Sequence, residues 1–290
     1  MFSILLIACL LQGATHRVDA TKPLPDLSTF LQGVRKHLQS DRALLSRYTY
    51  MERTIFRELD AGGKVKKTEV REYEVYPALD QKSTYRKLIS KDGKPVSADE
   101  LEKRERAYEK KVLEEQRRRD RESPEDKHRR EAKEEESKRK EEESLDEAFR
   151  IYNILLIGRE QVDGCSAIVL AFEPRPGYQP KNLDAKVMAK IRGKAWIGES
   201  DQELIRIDAE LGDNLSLGLG LVAKLHRGTR MVFQRRRVND EIWLPAESHF
   251  SGTGRILVLK GFRIDVETAY SDYKKFSVET SVNIEGRKKP

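Results

Sequence analysis

Between Phe262 and Tyr270 apolar and polar residues alternate without interruption. Phe262, Ile264, Val266, Thr268 and Tyr270 oppose Arg263, Asp265 and Glu267. The same pattern returns at 205–211, where Ile205, Ile207, Ala209 and Leu211 oppose Arg206, Asp208 and Glu210. It returns again at 276–282, where Phe276, Val278, Thr280 and Val282 oppose Ser277, Glu279 and Ser281. Successive side chains of a strand point to opposite faces, whereas a helix would scatter this pattern around its axis. These stretches therefore require a sheet with one face in water and the other against something apolar.

The remaining segments supply more strands and the turns between them. "YTYMERTIFREL" (48–59) and "KVKKTEVREYEVYP" (64–77) flank Ala61-Gly62-Gly63, and "QKSTYRKLIS" ends at Asp92-Gly93. "YNILLIGREQV" (152–162) meets "CSAIVLAFEP" (165–174) at Asp163-Gly164, a dipeptide suited to the left-handed backbone of a two-residue hairpin turn. "CSAIVLAFEP" is apolar on both faces and reads as a central strand. "DAKVMAKIRG" (184–193) reads as a short helix. The total is about ten or eleven hairpin-linked strands, and a sheet of that size must curl or split.

One helix precedes the strands. Leu27, Phe30, Leu31, Val34 and Leu38 recur at helical spacing, with Asp26 or Ser28 as the cap. The expected fold class is α+β, mainly β: a large curled antiparallel sheet, or half-open β-barrel. The helix, over 27–46, lies on its concave face, and a charged helical insertion at about 98–147 interrupts the strands. The layout is one domain from residue 21 to 290.

The insertion centres on "EKKVLEEQRRRDRESPEDKHRREAKEEESKRKEEES" (109–144). It holds 13 Lys and Arg against 14 Asp and Glu, although the whole chain has a formal net charge of +7. A near-neutral run without aromatic residues lacks the cation excess and stacking platforms of a nucleic-acid arm, so no nucleic-acid partner is expected. Between Glu114 and Ser144 the apolar residues are Pro124 and Ala132, which excludes a coiled-coil seam. Glu, Lys and Arg favour helix, and pairs such as Glu114–Arg118 reinforce it. Pro124 should interrupt that helix. Upstream, Leu101, Tyr108 and Val112 form a narrow stripe that can tether it.

The chain opens "MFSILLIACLLQGATHRVDA". A short apolar core, Phe2–Leu11, followed by Val18-Asp19-Ala20, has the form of a secretory signal peptide over residues 1–20, although a basic start is missing. "LIAC" (Leu6–Cys9) offers the alternative of an acylated anchor at Cys9. Removal of the signal leaves Cys165 as the one cysteine, so no internal disulfide is expected, and its apolar surroundings suit a core position. The expected location is the periplasm, across the inner membrane.

Several of these blocks together resemble a known family. An N-terminal helix, "YTYMERTIFRELDAGGKVKKTEVREYEVYP", "FRIYNILLIGREQVDG", "GKAWIGESDQELIRIDAEL" (193–211), "HRGTRMVFQRRRVNDEIWLP" and "YSDYKKFSVET" are similar to the LolA/LolB-like superfamily. That superfamily includes periplasmic lipoprotein carriers and the regulator RseB. The resemblance spans about residues 25–283 without the insertion. Trp196-Ile197 and Leu204-Ile205-Arg206 match its hairpin, and Gly198 departs from it where Asp is common. The resemblance implies a half-barrel that binds acyl chains or lipidated proteins without catalysis. No arginine here can be matched to the family's latch between lid and barrel.

Chemical motifs are sparse. His16, His37, His128, His226 and His249 lack metal-ligand spacing. No nucleophile-elbow sequence occurs, and the glycines of "GLGL" (218–221) and "SGTG" (251–254) open no βαβ unit. No catalytic residue, metal or cofactor is expected. Phe30, Leu31, Val34, Trp196, Phe233, Trp243 and Phe250 are candidates either for the core or for the lining of an apolar cavity. Arg235, Arg236 and Arg237 are candidates either for a solvated strand end or for a basic rim facing lipid headgroups or an acidic partner. The leading expectation is a monomeric envelope protein that holds acyl chains of lipids or lipoproteins, with peripheral membrane contact. An RseB-like module for an envelope protein partner is the second expectation, and a hydrolase of unassigned type a minor third.

Overall fold

The computed structural model describes residues 22–38, 45–77, 84–217, 223–256 and 260–275. The proposed signal segment, Cys9, His16, "GLGL" and the alternating run at 276–282 lie outside them.

Helix α1 (Leu27–His37) starts where Asp26 accepts a hydrogen bond from the Thr29 amide at 2.9 Å. It ends at His37, where Leu38 turns to an extended conformation, and residues 39–44 of the expected span lie outside the described residues. Strands β1 (Tyr48–Leu59), β2 (Val65–Pro77), β3 (Thr84–Lys91) and β4 (Lys94–Pro95) follow as hairpins. Helices α2 (Ala98–Asp120) and α3 (Pro124–Ile151) form the insertion. Then come β5 (Tyr152–Val162), β6 (Cys165–Pro174), the one-turn helix α4 (Leu183–Met188), β7 (Ile191–Gly198) and β8 (Leu204–Leu211). The chain continues through β9 (Leu215–Leu217), β10 (Ala223–Leu225), β11 (Arg230–Val238), β12 (Ile242–Ile256) and β13 (Lys260–Lys275).

All thirteen strands belong to one curled, unclosed antiparallel sheet. The order is β4-β3-β2-β1-β13-β12-β11-β8-β7-β6-β5, with β9 and β10 attached beside β12. Turn chemistry behaves as the sequence suggests. Asp163 and Gly164 have φ of 49° and 78°, and Asn239 and Asp240, between β11 and β12, have φ of 53° and 54°. Gly193 marks a close approach of β7 and β8. A Cβ there would lie 2.0 Å from the Asp208 carbonyl oxygen.

Strand β6 is not central, although both its faces are buried: it stands next to the edge strand β5. Ala167, Ile168, Val169 and Leu170 are each no more than 4% exposed. α1 covers one side, where Phe30 and Val34 pack on Ile168, Leu170 and Ile197. Trp196, Ile205 and Trp243 pack with Ala167 and Val169 on the other. Packing on both faces, not position in the sheet, explains the apolar run.

The insertion breaks where Pro124 foretells. Pro124 is the first residue of α3, capped by the Ser123 hydroxyl, and the rigid φ of proline suits that position. α2 leans on β3 through a Tyr85–Tyr108 stack with ring centroids 3.8 Å apart and an ion pair between Lys87 and Glu105. α3 ends on the body: Ile151 is fully buried, Asp146 pairs with Arg35 of α1, and Tyr178 donates to Glu147. The insertion thus links β4, at one end of the sheet, to β5, at the other.

Candidate functional site

In antiparallel pairs, residues directly opposite share a face, so the register traces each face across the sheet. On the face that carries α1, one row runs Ile154, Phe172, Gly193, Ala209, Met231, Phe250, Val266, Phe56. The eight residues come from eight adjacent strands, which at about 4.8 Å per strand makes a lane of about 34 Å. The neighbouring row runs Leu170, Ala195, Ile207, Phe233, Ser248, Thr268, Thr54. α1 packs over the β5–β8 end, where Ile154, Leu170 and Ala195 join its cluster. Toward β11, β12, β13 and β1 the lane opens. Met231 is 44% exposed and Phe56 37%, while Phe233, Phe250 and Val266 are half-buried. Two exposed apolar side chains flanking a continuous apolar row form a surface that a hydrocarbon ligand can cover.

The seven aromatic and aliphatic candidates are not brought together. Phe30 and Val34 are 4% exposed and fill the interface between α1 and the sheet, with Leu31 packed beside them. Phe233 and Phe250 stand in the open part of the helix face. Trp196 and Trp243 lie on the opposite face, with indole N–H groups donating to Glu160 at 2.7 Å and to Asp201 at 2.8 Å. The parity of the strand explains the split. Ile197 faces α1, so its neighbour Trp196 must face away.

The three arginines separate in the same way. Arg235 is 3% exposed, 3.8 Å from Glu203 and 5.9 Å from the centre of the Phe233 ring. Arg236 donates to the Tyr270 carbonyl at 3.0 Å and lies over the Tyr273 ring. Arg237 is exposed at the rim. It lines a pocket of about 330 Å³ with His37, Asp201, Glu203 and Trp243. Burial pushes the Glu203 carboxyl above its ordinary range, against the opposing pull of Arg235 and of His37 on α1. A basic rim of three residues is therefore a rim of one, with Arg235 inside the protein as a polar tie beside α1.

Beside the tryptophan cluster, the opposite face carries many charged side chains. A groove of about 890 Å³ there is lined by Trp196, Arg206, Lys194, Asp208, Arg192 and Glu210, among others. Arg206 lies 5.1 Å over the Trp196 ring, while Arg192 pairs with Glu210 and Arg230 with Asp208. On the same face, strand pairing assembles His249, Asp265 and Glu267, with ligand atoms within 4.8 Å of one another. Linear spacing could not reveal this cluster, because its members come from two strands. Arg57 donates to Asp265 at 2.7 Å and to Glu267 at 2.8 Å, so a guanidinium already stands where a divalent cation would sit. Cys165 is half-buried against the tryptophan cluster, and burial pushes its thiol pKa up, away from nucleophilic use.

One further anchor was not legible in sequence. Arg159, 5% exposed at its side chain, grips Glu199 through two hydrogen bonds of 2.8 Å. It also donates to the carbonyls of Lys22 and Pro23 at 2.8 and 3.1 Å. The segment that leads into α1 is thereby fixed to the sheet.

No protein-family model matches the chain, and no curated protein does. It is similar in structure to several solved proteins. A DUF1329 family protein from Desulfovibrio piger is 14% identical, with a TM-score of 0.30 over 87% of this chain and 93% of that one. An outer membrane lipoprotein-sorting protein domain from Vibrio parahaemolyticus is 10% identical, with a TM-score of 0.29 over 89% and 96%. A LolA superfamily protein from Nitrosomonas europaea is 8% identical, with a TM-score of 0.27 over 89% and 97%. At these values no residue role passes from those proteins to this one. Among the described residues no helix is long and apolar enough to cross a membrane.

Proposed function

We propose that the protein is a non-catalytic envelope module that holds acyl chains of lipids or lipoproteins on the open part of its helix face. The observation that carries this reading is the aligned row of Met231, Phe250, Val266 and Phe56 across β11, β12, β13 and β1, continuous with the apolar ground under α1. The open part crosses four strands, about 14 Å by strand spacing, close to half of the roughly 30 Å hydrocarbon core of a bilayer, which is two acyl chains deep. A single chain can therefore lie along it. Each methylene removed from water contributes about 0.8 kcal/mol.

The protein, purified from cells under mild conditions, should release fatty-acid or phospholipid species on organic extraction, detected by mass spectrometry. It should also bind a fluorescent fatty acid. Met231→Ser with Phe56→Ser removes two exposed contacts without opening the core, at a cost of about 1.5 kcal/mol of binding, or roughly tenfold in Kd. Absence of both retained lipid and probe binding in the unmodified protein would sink the proposal. A partner protein cross-linked in cells, and lost when the insertion is deleted while lipid is retained, would favour the interaction-module reading.

A further inference from the structure

The charge of the insertion is near zero in sum but divided along its length. Over 117–133 eight Lys and Arg stand against five Asp and Glu, a net of +3. Over 134–147 three stand against eight, a net of −5. The fold gathers the basic part at one place. The C-terminal end of α2 and the N-terminal end of α3 meet at an elbow, and between them lies a crevice of about 760 Å³. Arg117, Arg118, Arg119, Arg121, Arg129, Arg130 and Lys133 line it together with the carboxylates of Glu114, Glu115, Glu122 and Asp126, so cations exceed anions there by three. The side chains of Arg118 and Arg129 are 75% and 72% exposed. The Tyr108 stack on β3 lies twelve residues before the end of α2, so at 1.5 Å per residue the elbow projects about 18 Å beyond it.

We infer that this elbow is a docking surface for anionic lipid membranes. Its chemistry decides among polyanionic partners. A stable protein interface needs an apolar centre, and between Glu114 and Ser144 the chain offers Pro124 and Ala132 alone. Nucleic-acid arms add aromatic stacking, and the same stretch has no aromatic side chain. An anionic bilayer accepts charge by itself, at about 1 kcal/mol, or a factor of five, per basic residue near its surface. The acidic stretch sets the orientation. It begins ten residues after Pro124, about 15 Å along α3, beyond the Debye length of about 8 Å at physiological salt. The elbow can therefore touch an anionic surface end-on, while the arm behind it is held off.

This docking does not depend on acyl binding by the lane, and the two are tested separately. The full-length protein is floated with vesicles of phosphatidylcholine alone and of phosphatidylcholine with phosphatidylglycerol, at low and high salt. Binding is expected with the anionic vesicles and not the neutral ones, and high salt should abolish it. Arg117, Arg121, Lys127 and Lys133 make no ion pair among the described residues, so replacing each with Gln leaves no carboxylate stranded and takes the elbow from +3 to −1. Gln is a good helix former, and unchanged circular dichroism will show that the helices persist. The variant should lose anionic-vesicle affinity by about a hundredfold or more. The inference is overturned if the unmodified protein ignores anionic vesicles, if it binds neutral ones equally, if the variant binds as well, or if an oligonucleotide is bound in preference to the vesicles. A protein that floats with anionic vesicles but retains no fatty acid supports the elbow and counts against the lane. The reverse result counts against the elbow alone.

Discussion

Arg159 and Glu199 show how much one buried contact can organise. The guanidinium, aided by Lys22 and Ser166, holds the Glu199 carboxyl down at about 2, well below the ordinary 4.5. The sign of the pH effect follows. The unfolded chain binds a proton at Glu199 more readily than the folded one, so the contribution to stability is present above about 4.5 and is lost as pH falls toward 2. Denaturant titrations from pH 7 downward should show stability falling through this window, and Glu199→Gln should flatten that part of the profile. An unchanged profile in the variant would show that other carboxylates govern acid unfolding. Nothing in the sequence marks this pair. Arg159 sits in an ordinary strand and Glu199 in a turn forty positions later. The pairing exists because β5, β6 and the β7–β8 turn are neighbours in the sheet.

At the scale of the element, α1 was legible in spacing and cap, since Asp26, Phe30 and Val34 do what their positions suggest. Its role as cavity lining was less legible. Phe30 is spent on packing against Ile168, Leu170 and Ile197, so Phe30→Ala should cost about 3 kcal/mol in chemical denaturation. A loss under 1 kcal/mol would mean that α1 is only loosely seated. The alternation in β13 gave the faces correctly, but a bulge in β8 turns Ile205 to the tryptophan side while Ile207 and Ala209 keep the face of α1, and the rows across strands could not be read. Register depends on pairing between distant segments, such as β1 with β13, and a shift by one residue exchanges the faces. The same limit grouped Trp196 with Phe233, although they stand on opposite faces. β6 misled for a related reason, because burial on both faces came from a helix and a pair of indoles instead of a central position.

For the whole molecule, the decisive fact is where the insertion is attached. α2 is about 34 Å long and α3 about 42 Å, at 1.5 Å per residue, and their outer ends are fastened to opposite ends of one open sheet. They resemble the legs of a pair of dividers. The angle at Arg121–Ser123 sets how far apart the points stand, and the points are the two margins of the half-barrel. With both outer ends attached to the sheet, a change in its curl is expected to change the angle between the legs. Spin labels at Lys91→Cys and Asn153→Cys, with Cys9 and Cys165 replaced by Ser, would read that separation directly. Exchanging residues 109–144 for a flexible linker should broaden the distance distribution, and an unaltered distribution would show that the sheet keeps its curl unaided. A half-barrel fitted in this way has a gauge of its own opening, carried on the most polar part of the chain.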